Sequence, residues 1–526
     1  MRTAYVNGVV YTMREEGETI RAFVVEDGNF ICCGSDEEAK AIADEVVDLG
    51  GKTVLPGFID THQHLYSYAK DLTKLNLKGT KSLEELQARI AEKAATLQPG
   101  EWIQGTGFDH EDFPVKELPT RYDLDKAAPE NPVLITRYDL HINCSNSLAL
   151  KLAGIDRDYV PEVDNTVLYD ENGEPNGVIM DQVAADMSAL IPDPMATREQ
   201  KLNALEMACH DLNKAGLTGV HPIQAKHVDL FEDLGLYQDL NDQGRLTARI
   251  YFGYDALPGL GMRHGLGDSM VKYGFYKLFT DGSLGARTAL LNEPYTDDPT
   301  KIGITNHTQE ELDALVKEAY DMGLQIGVHQ IGDRAIEMVV ESLEKAYAAN
   351  PMENVRFRMI HMSLVNEDII RRMKKLPVIL DIQPMFVSTN VRWSETRVGP
   401  ERAKYNYAWK SFLNEGFIIT AGSDSPIETF DPMKGTYAIV TRQGMDGYPE
   451  GGWYPEQRVT PYEALCMYTK NAAYASYEED VKGTIEEGKY ADFVILDRNV
   501  FEIPHSEIKD VTVEKTYLGG KLVYEK

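Results

Sequence analysis

Short apolar runs alternate with amphipathic stretches through the middle of this chain. Eight runs have the length and β-branched content of buried strands: 54–60, 217–221, 247–253, 274–280, 324–329, 356–361, 378–382 and 417–421. Segments of helical period separate most of them, at 197–215, 228–241, 308–322, 333–349, 367–376 and 409–415. Near-continuous apolar strands alternating with helices predict a parallel sheet covered by helices. Eight such units predict an α/β fold of the (β/α)8 TIM-barrel type, over residues 54–65 and 196–482. Residues 66–195 break the rhythm with strands of their own (102–107, 132–138) and helices of their own (82–96, 145–153). They read as a large insertion after the first barrel strand, a lid or substrate subdomain on the side where barrel active sites open.

The two ends of the chain share a third pattern. Residues 1–53 carry short strands at 3–6, 9–13, 22–26, 30–33 and 53–54, broken by Gly8, Asp27-Gly28 and Gly34-Ser35. Residues 483–526 carry strands at 492–497, 511–518 and 521–524, with Gly519-Gly520 as a hairpin signal. Neither end is large enough to bury a core alone, so a small β-sandwich built from both termini is the expectation.

Composition narrows the class. At 526 residues and 43% hydrophobic content the chain has material for a large core. No apolar run reaches the ~18–20 residues that span a bilayer. Residues 1–8 read as a strand entering a turn and lack a basic segment followed by an apolar one, which argues against secretion. The five cysteines, Cys32, Cys33, Cys144, Cys209 and Cys466, are scattered without a Cys-x-x-Cys. This pattern favours reduced thiols and a cytoplasmic protein. A net charge of −31, dispersed along the chain, argues against nucleic acid or an anionic membrane as partner. A small-molecule substrate is the remaining expectation, with a homodimer as the oligomeric base case.

The candidate chemistry lies at the strand ends. Val54-Leu55-Pro56-Gly57-Phe58-Ile59-Asp60-Thr61-His62-Gln63-His64 closes an apolar run with two histidines at i, i+2, which an extended strand turns to one face. Two neutral imidazoles aimed at one point are half of a metal site, although a surface pair reads the same way. His329 and His361 each close a predicted strand, Asp424 follows another, and Lys277 lies within 274–280. Four histidines, an aspartate and a lysine on five strand ends match where barrel enzymes hold catalytic groups.

These segments resemble the amidohydrolase superfamily, and within it the YtcJ-like branch that includes N-substituted formamide deformylases. The resemblance covers nearly the whole chain. It rests on residues 55–64, on Lys277-Leu278-Phe279-Thr280-Asp281-Gly282-Ser283-Leu284-Gly285-Ala286-Arg287, on residues 328–335, on Gly422-Ser423-Asp424-Ser425-Pro426 and on residues 488–497. It implies that His62, His64 and Asp424 hold the more buried of two divalent metals and that His329 and His361 hold the second. It implies that Lys277, carboxylated on its side-chain nitrogen by CO2, bridges them. An uncarboxylated Lys277 paired with Asp281 is the alternative, with one metal. Zinc is the first expectation, with iron or manganese also suited to the ligands.

The implied reaction is hydrolysis of an amide-type carbon–nitrogen bond by a metal-activated hydroxide, with Asp424 as general base and acid. A deaminase, lactamase or esterase on the same site, or a non-catalytic regulatory protein on this scaffold, are the alternatives. Candidate substrate contacts are His221 at the end of the second strand, Asp139 and His141 of a branch-like motif with Asn146-Ser147, and Arg287, Arg334 and Gln383. His221 is equally readable as a buried structural residue, and Arg287, Arg334 and Gln383 as structural ion pairs or caps. Asn143 and Cys144 depart from the branch pattern, a departure that bears on any substrate preference the resemblance implies. Phe108-Asp109-His110 reads as a lid contact or an exposed turn.

Overall fold

The computed structural model describes residues 1–137, 142–161, 166–224, 230–259 and 261–526. The chain forms two compact units, residues 1–67 with 205–526, and residues 68–204.

The larger unit is built on eight parallel strands: β1 (Phe58–Gln63), β2 (Leu217–Gln224), β3 (Arg249–Tyr254), β4 (Val271–Phe279), β5 (Gln325–Gln330), β6 (Phe357–His361), β7 (Val378–Ile382) and β8 (Ile418–Ala421). They pair in sequence order from β1 to β8. Between β8 and β1 the ring is nearly closed. One bridge joins Gln63 to Ser425, His64 N–H donates to Ser425 O at 2.8 Å, and Asp424 N–H donates to His62 O at 2.7 Å. The expected eight-strand barrel is therefore present. β1, β2 and β3 are buried along their whole length, as parallel strands covered on both sides must be.

The helices follow from local signals. Gln309–Asp321 opens on a capping box between Thr308 and Glu311. Asp333–Ala349 buries Ile336, Val339, Val340, Leu343 and Ala346, a stripe at helical spacing.

One strand differs from its sequence reading. The apolar run 54–60 is two strands, not one. Thr53–Pro56 pairs with Val9–Tyr11 and Phe493–Leu496 in a sheet made from both chain ends, and the barrel strand begins only at Phe58. The switch is at Gly57, where a Cβ would meet Thr218 Oγ1 at 2.2 Å. Only a residue without a side chain lets the chain pass β2 that closely.

The terminal strands form two sheets. One orders Asn29–Gly34, Ala22–Glu26, Thr3–Val6 and Glu45–Asp48; the other runs from Lys521–Glu525 through Val513–Leu518 and Phe493–Leu496 to Thr53–Pro56, Val9–Tyr11 and Thr19–Ile20. Tyr5, Phe23, Phe30, Phe493 and Tyr517 share one buried cluster, with Phe493 and Tyr517 stacked at 4.3 Å. The sheets belong to the same compact unit as the barrel.

Charged pairs fasten the chain between the last helices and the C-terminal strands to the first residues of the barrel strands. Arg249 makes two bonds to Asp492, at 2.7 and 2.9 Å; Arg356 pairs with Glu479, and Lys272 and Lys482 both pair with the buried Glu478.

The smaller unit has its own six-stranded sheet, in the order Val167–Tyr169, Pro175–Met180, Ile142–Ser145, Val133–Arg137, Ile103–Phe108 and Leu75–Asn76. Helices Leu83–Ala94, Arg121–Ala127, Ser147–Leu152 and Asp181–Ser188 cover two apolar clusters. Among the described residues no helix is long and apolar enough to cross a membrane.

Candidate metal centre

The side chains singled out at the strand ends come from β1, β4, β5, β6 and the loop after β8. His62 lies on β1 and His64 just beyond it. Their Nε2 atoms both approach Asp424 Oδ1, at 3.2 and 3.1 Å. One donor atom from each of the three lies within 4.8 Å of the others. Asp424 is held in the left-handed region, φ 60°, by its N–H bond to His62 O. Asp60 braces the same junction: its carboxyl accepts from Ser423 Oγ at 2.6 Å and from the N–H groups of Ser423 and His62 at 3.0 Å. Gly422 packs against His62 so closely that a Cβ there would stand 2.5 Å from His62 N.

The second group lies beside the first. His361 closes β6 with φ 74°, and its ring centroid is 5.1 Å from that of His62 and 4.4 Å from that of His329 on β5. His329 Nε2 is 3.1 Å from Gly282 O, so Nε2–H donates and Nδ1 is left as the free lone pair. Lys277 on β4 is fully buried, its Nζ lies 4.6 Å above the Phe279 ring, and it has no hydrogen-bond partner among the described residues.

The electrostatics suit a cation. Burial, then the charge of Lys277, pushes His62 down to about 4, and burial, then His329, pushes His361 well below the usual histidine range. Both imidazoles are therefore neutral, the form that binds metal. Burial acts to raise the Asp424 carboxyl, but bonds from His62 and His64 outweigh it and hold it well below the carboxylate range. Burial brings the Lys277 amine down to about 7 against the pull of Asp424 and Asp381. Two imidazoles and a carboxylate converging beside an unpartnered buried amine are a donor set that fits a divalent cation.

The remaining candidates fall elsewhere. Asp281 is not the partner of Lys277: its carboxylate accepts the N–H groups of Leu290, Ile331 and Gly332 at 2.9, 3.0 and 2.9 Å. Arg287 makes a two-point pair with Asp297, at 3.0 and 2.8 Å, and Arg334 pairs with Glu337. Gln383, at the end of β7, faces His361 Nδ1 at 2.6 Å. His221 is buried on β2 against Tyr251, its ring centroid 5.0 Å away, and burial, then Arg358, keeps it neutral. Asn146 is a structural hub: its Oδ1 accepts from Val133 N and Ala149 N, and its Nδ2 donates to Ala128 O and Asn131 O. Asp109 caps residues 110–112 and accepts from Arg137. Asp139 and His141 lie outside the described residues. Sequence reasoning missed the bracing roles of Asp60 and Ser423. The one available signal was that Asp60 stands two residues before His62, on the same strand.

A sequence model of the amidohydrolase family matches residues 45–524. This chain belongs to the amidohydrolase family. The amidohydrolase is 34% identical to YtcJ of Bacillus subtilis, a protein provisionally named as an amidohydrolase, over 100% of both chains. It is 27% identical to the N-substituted formamide deformylase of Arthrobacter pascens, covering 99% of this chain and 98% of that one. Among solved structures it resembles an uncharacterized metal-dependent hydrolase from Pyrococcus horikoshii OT3, with 31% identity, a TM-score of 0.76, and coverage of 96% and 99%. The amidohydrolase is thus an enzyme that hydrolyses carbon–nitrogen bonds other than peptide bonds.

Proposed function

We propose that this enzyme hydrolyses the amide bond of a small N-substituted amide, with divalent cations held at the barrel mouth. The observation that carries the reading is the convergence of His62, His64 and Asp424 within 4.8 Å, beside the buried and unpartnered Lys277 amine. His62, His64 and Asp424 would hold one cation, and His329 and His361 a second. Zinc suits these donors first, with iron or manganese as alternatives. Bound there, the cations supply Lewis acidity toward the scissile carbonyl and lower the pKa of water toward neutrality.

The chain's own residues do the rest. Asp424, held ionised, accepts the proton of the attacking water and returns it to the leaving nitrogen. His62 and His361 stay neutral, so their lone pairs are free for coordination. Lys277, brought to about 7, is substantially a free amine at neutral pH. Its nitrogen can add to CO2 with release of one proton, and the carbamate would make Lys277 an anionic oxygen donor beside His62, His361 and Asp424. The name of the Arthrobacter relative supports an N-substituted formamide as the first substrate to try.

Two further readings accompany this one. The terminal sheets, with their shared aromatic core, act as one β-sandwich, and the five unpaired cysteines fit a reducing cytoplasm. The test of the function combines metal analysis with a panel of formamides, acylated amines, lactams and esters, on wild type and Asp424→Asn. Two equivalents of metal per chain, amide turnover in wild type and none in a folded, metal-loaded Asp424→Asn are expected. Turnover retained by that variant refutes the role of Asp424. A single equivalent of metal refutes the two-cation reading.

A further inference from the structure

Gln383 was a candidate substrate contact in the sequence, and its surroundings assign it differently. It follows β7 and is 1% exposed. Its Oε1 stands 2.6 Å from His361 Nδ1, while its Nε2 donates to Asp381 O at 3.3 Å. An amide oxygen only accepts, so the proton of His361 lies on Nδ1 and the lone pair on Nε2. The bond to Asp381 O fixes which end of the amide faces the imidazole, because a flipped amide would set its oxygen against the Asp381 carbonyl oxygen, two acceptors with no proton between them.

The chain that follows Gln383 adds a second restraint. Phe386 N–H donates to Gln383 O at 3.1 Å, and this turn lays the Phe386 ring on the His361 ring, 6.0 Å between centroids and 10° between planes. The four residues after β7 therefore fix both the tautomer and the plane of His361. His329 is fixed in the opposite sense, through Nε2 on Gly282 O, and presents Nδ1.

We propose that Gln383 is a positioning residue that turns His361 Nε2 toward the second cation and contacts no substrate. The proposal rests on the two-cation reading above. Groups that hold the far nitrogen of a ligand histidine typically change metal affinity about 10–100-fold when removed.

The test is titration of the metal-free protein with zinc against a chelator, for wild type, Gln383→Leu and Gln383→Glu, with thermal unfolding of each metal-free form. Wild type should take two equivalents. Gln383→Leu should weaken one of them about 10–100-fold and leave the other unchanged. Gln383→Glu keeps an acceptor and should hold the second equivalent at least as tightly as wild type. Unchanged affinities in Gln383→Leu overturn the role of Gln383 while leaving the two-cation reading standing. One equivalent in wild type overturns that reading and the role with it. Equal loss of both equivalents, unrescued by Gln383→Glu, makes Gln383 a general structural residue. If Gln383→Leu does not fold, a weakened second equivalent in Gln383→Glu alone overturns the proposal.

Discussion

Replacing Asp281 by asparagine isolates the anchor that holds the loops after β4 and β5. The Asp281 side chain is 0% exposed and its carboxylate accepts three backbone N–H groups, Leu290 and Gly332 on Oδ2 and Ile331 on Oδ1. An asparagine oxygen can keep at most two, so its best orientation retains Leu290 and Gly332 and turns the NH2 toward the Ile331 N–H. The bond lost was to a charged acceptor, worth about 1.5–3 kcal/mol, and the two retained each fall by about 1 kcal/mol to neutral strength. Local stability then drops by about 3–5 kcal/mol.

At ~1.4 kcal/mol per tenfold, hydrogen-exchange protection of these amides falls roughly a hundred- to several-thousand-fold. The assay is exchange followed by mass spectrometry on peptides covering residues 282–292 and 329–336. Helix Gln309–Asp321 serves as the internal reference. The Gly282 carbonyl that receives His329 Nε2 is next to this anchor, so the variant should also lose metal from the His329 and His361 pair. A change below about threefold at Leu290, Ile331 and Gly332 refutes the argument, because it would mean that the three bonds contribute nothing net.

Two other outcomes follow from the geometry. Gly422→Ala places a methyl 2.5 Å from His62 N and 2.9 Å from His62 Cα, so β1 must shift and the His62, His64 and Asp424 donors lose register; metal analysis should show that equivalent reduced, and full occupancy refutes it. Glu478 is driven up by burial but brought to about 2 by Lys482 and Lys272, from an ordinary 4.5. Its folded value is depressed, so its stabilisation, about 3 kcal/mol, is complete above 4.5 and is lost as pH falls toward 2. Urea titrations between pH 5 and 2 should show wild type losing more stability than Glu478→Gln, and parallel profiles refute the assignment.

The barrel was legible because buried parallel strands leave continuous apolar runs, and each of the eight runs overlaps a barrel strand. What was hidden depended on partners distant in sequence. The run 54–60 has no polar residue before Asp60 to mark where it leaves one sheet for another. The break falls at Pro56-Gly57, a turn signal inside the run, and the approach of Thr218 to Gly57 shows why a residue without a side chain stands there. Of the helices after β7 and β8, the pattern predicts Trp409–Asn414 but not Met385–Asn390, Ser394–Ala403, Pro432–Thr441 or Pro461–Met467. Thr460-Pro461 with Glu463 was a capping box in plain sight. Asp281 reads as a partner for Lys277 four residues away. It is claimed instead by amides at 290, 331 and 332, which no local pattern announces.

The two ends of the barrel hold different sets of polar groups. Where the strands begin, Arg249 meets Asp492, Arg356 meets Glu479, and Glu478 meets two lysines. Where the strands end, buried polar atoms are left without partners among the described residues: Lys277 Nζ, His62 Nδ1, Thr280 Oγ1 and Gln330 Oε1. An unsatisfied buried polar group costs about 1–3 kcal/mol, so the donors at the strand ends gain from a partner such as a cation. The neighbouring backbone is also held in unfavourable conformations, with His361, Met362 and Asp424 all at positive φ. Groups that already converge at the strand ends need little rearrangement to receive cations and a substrate.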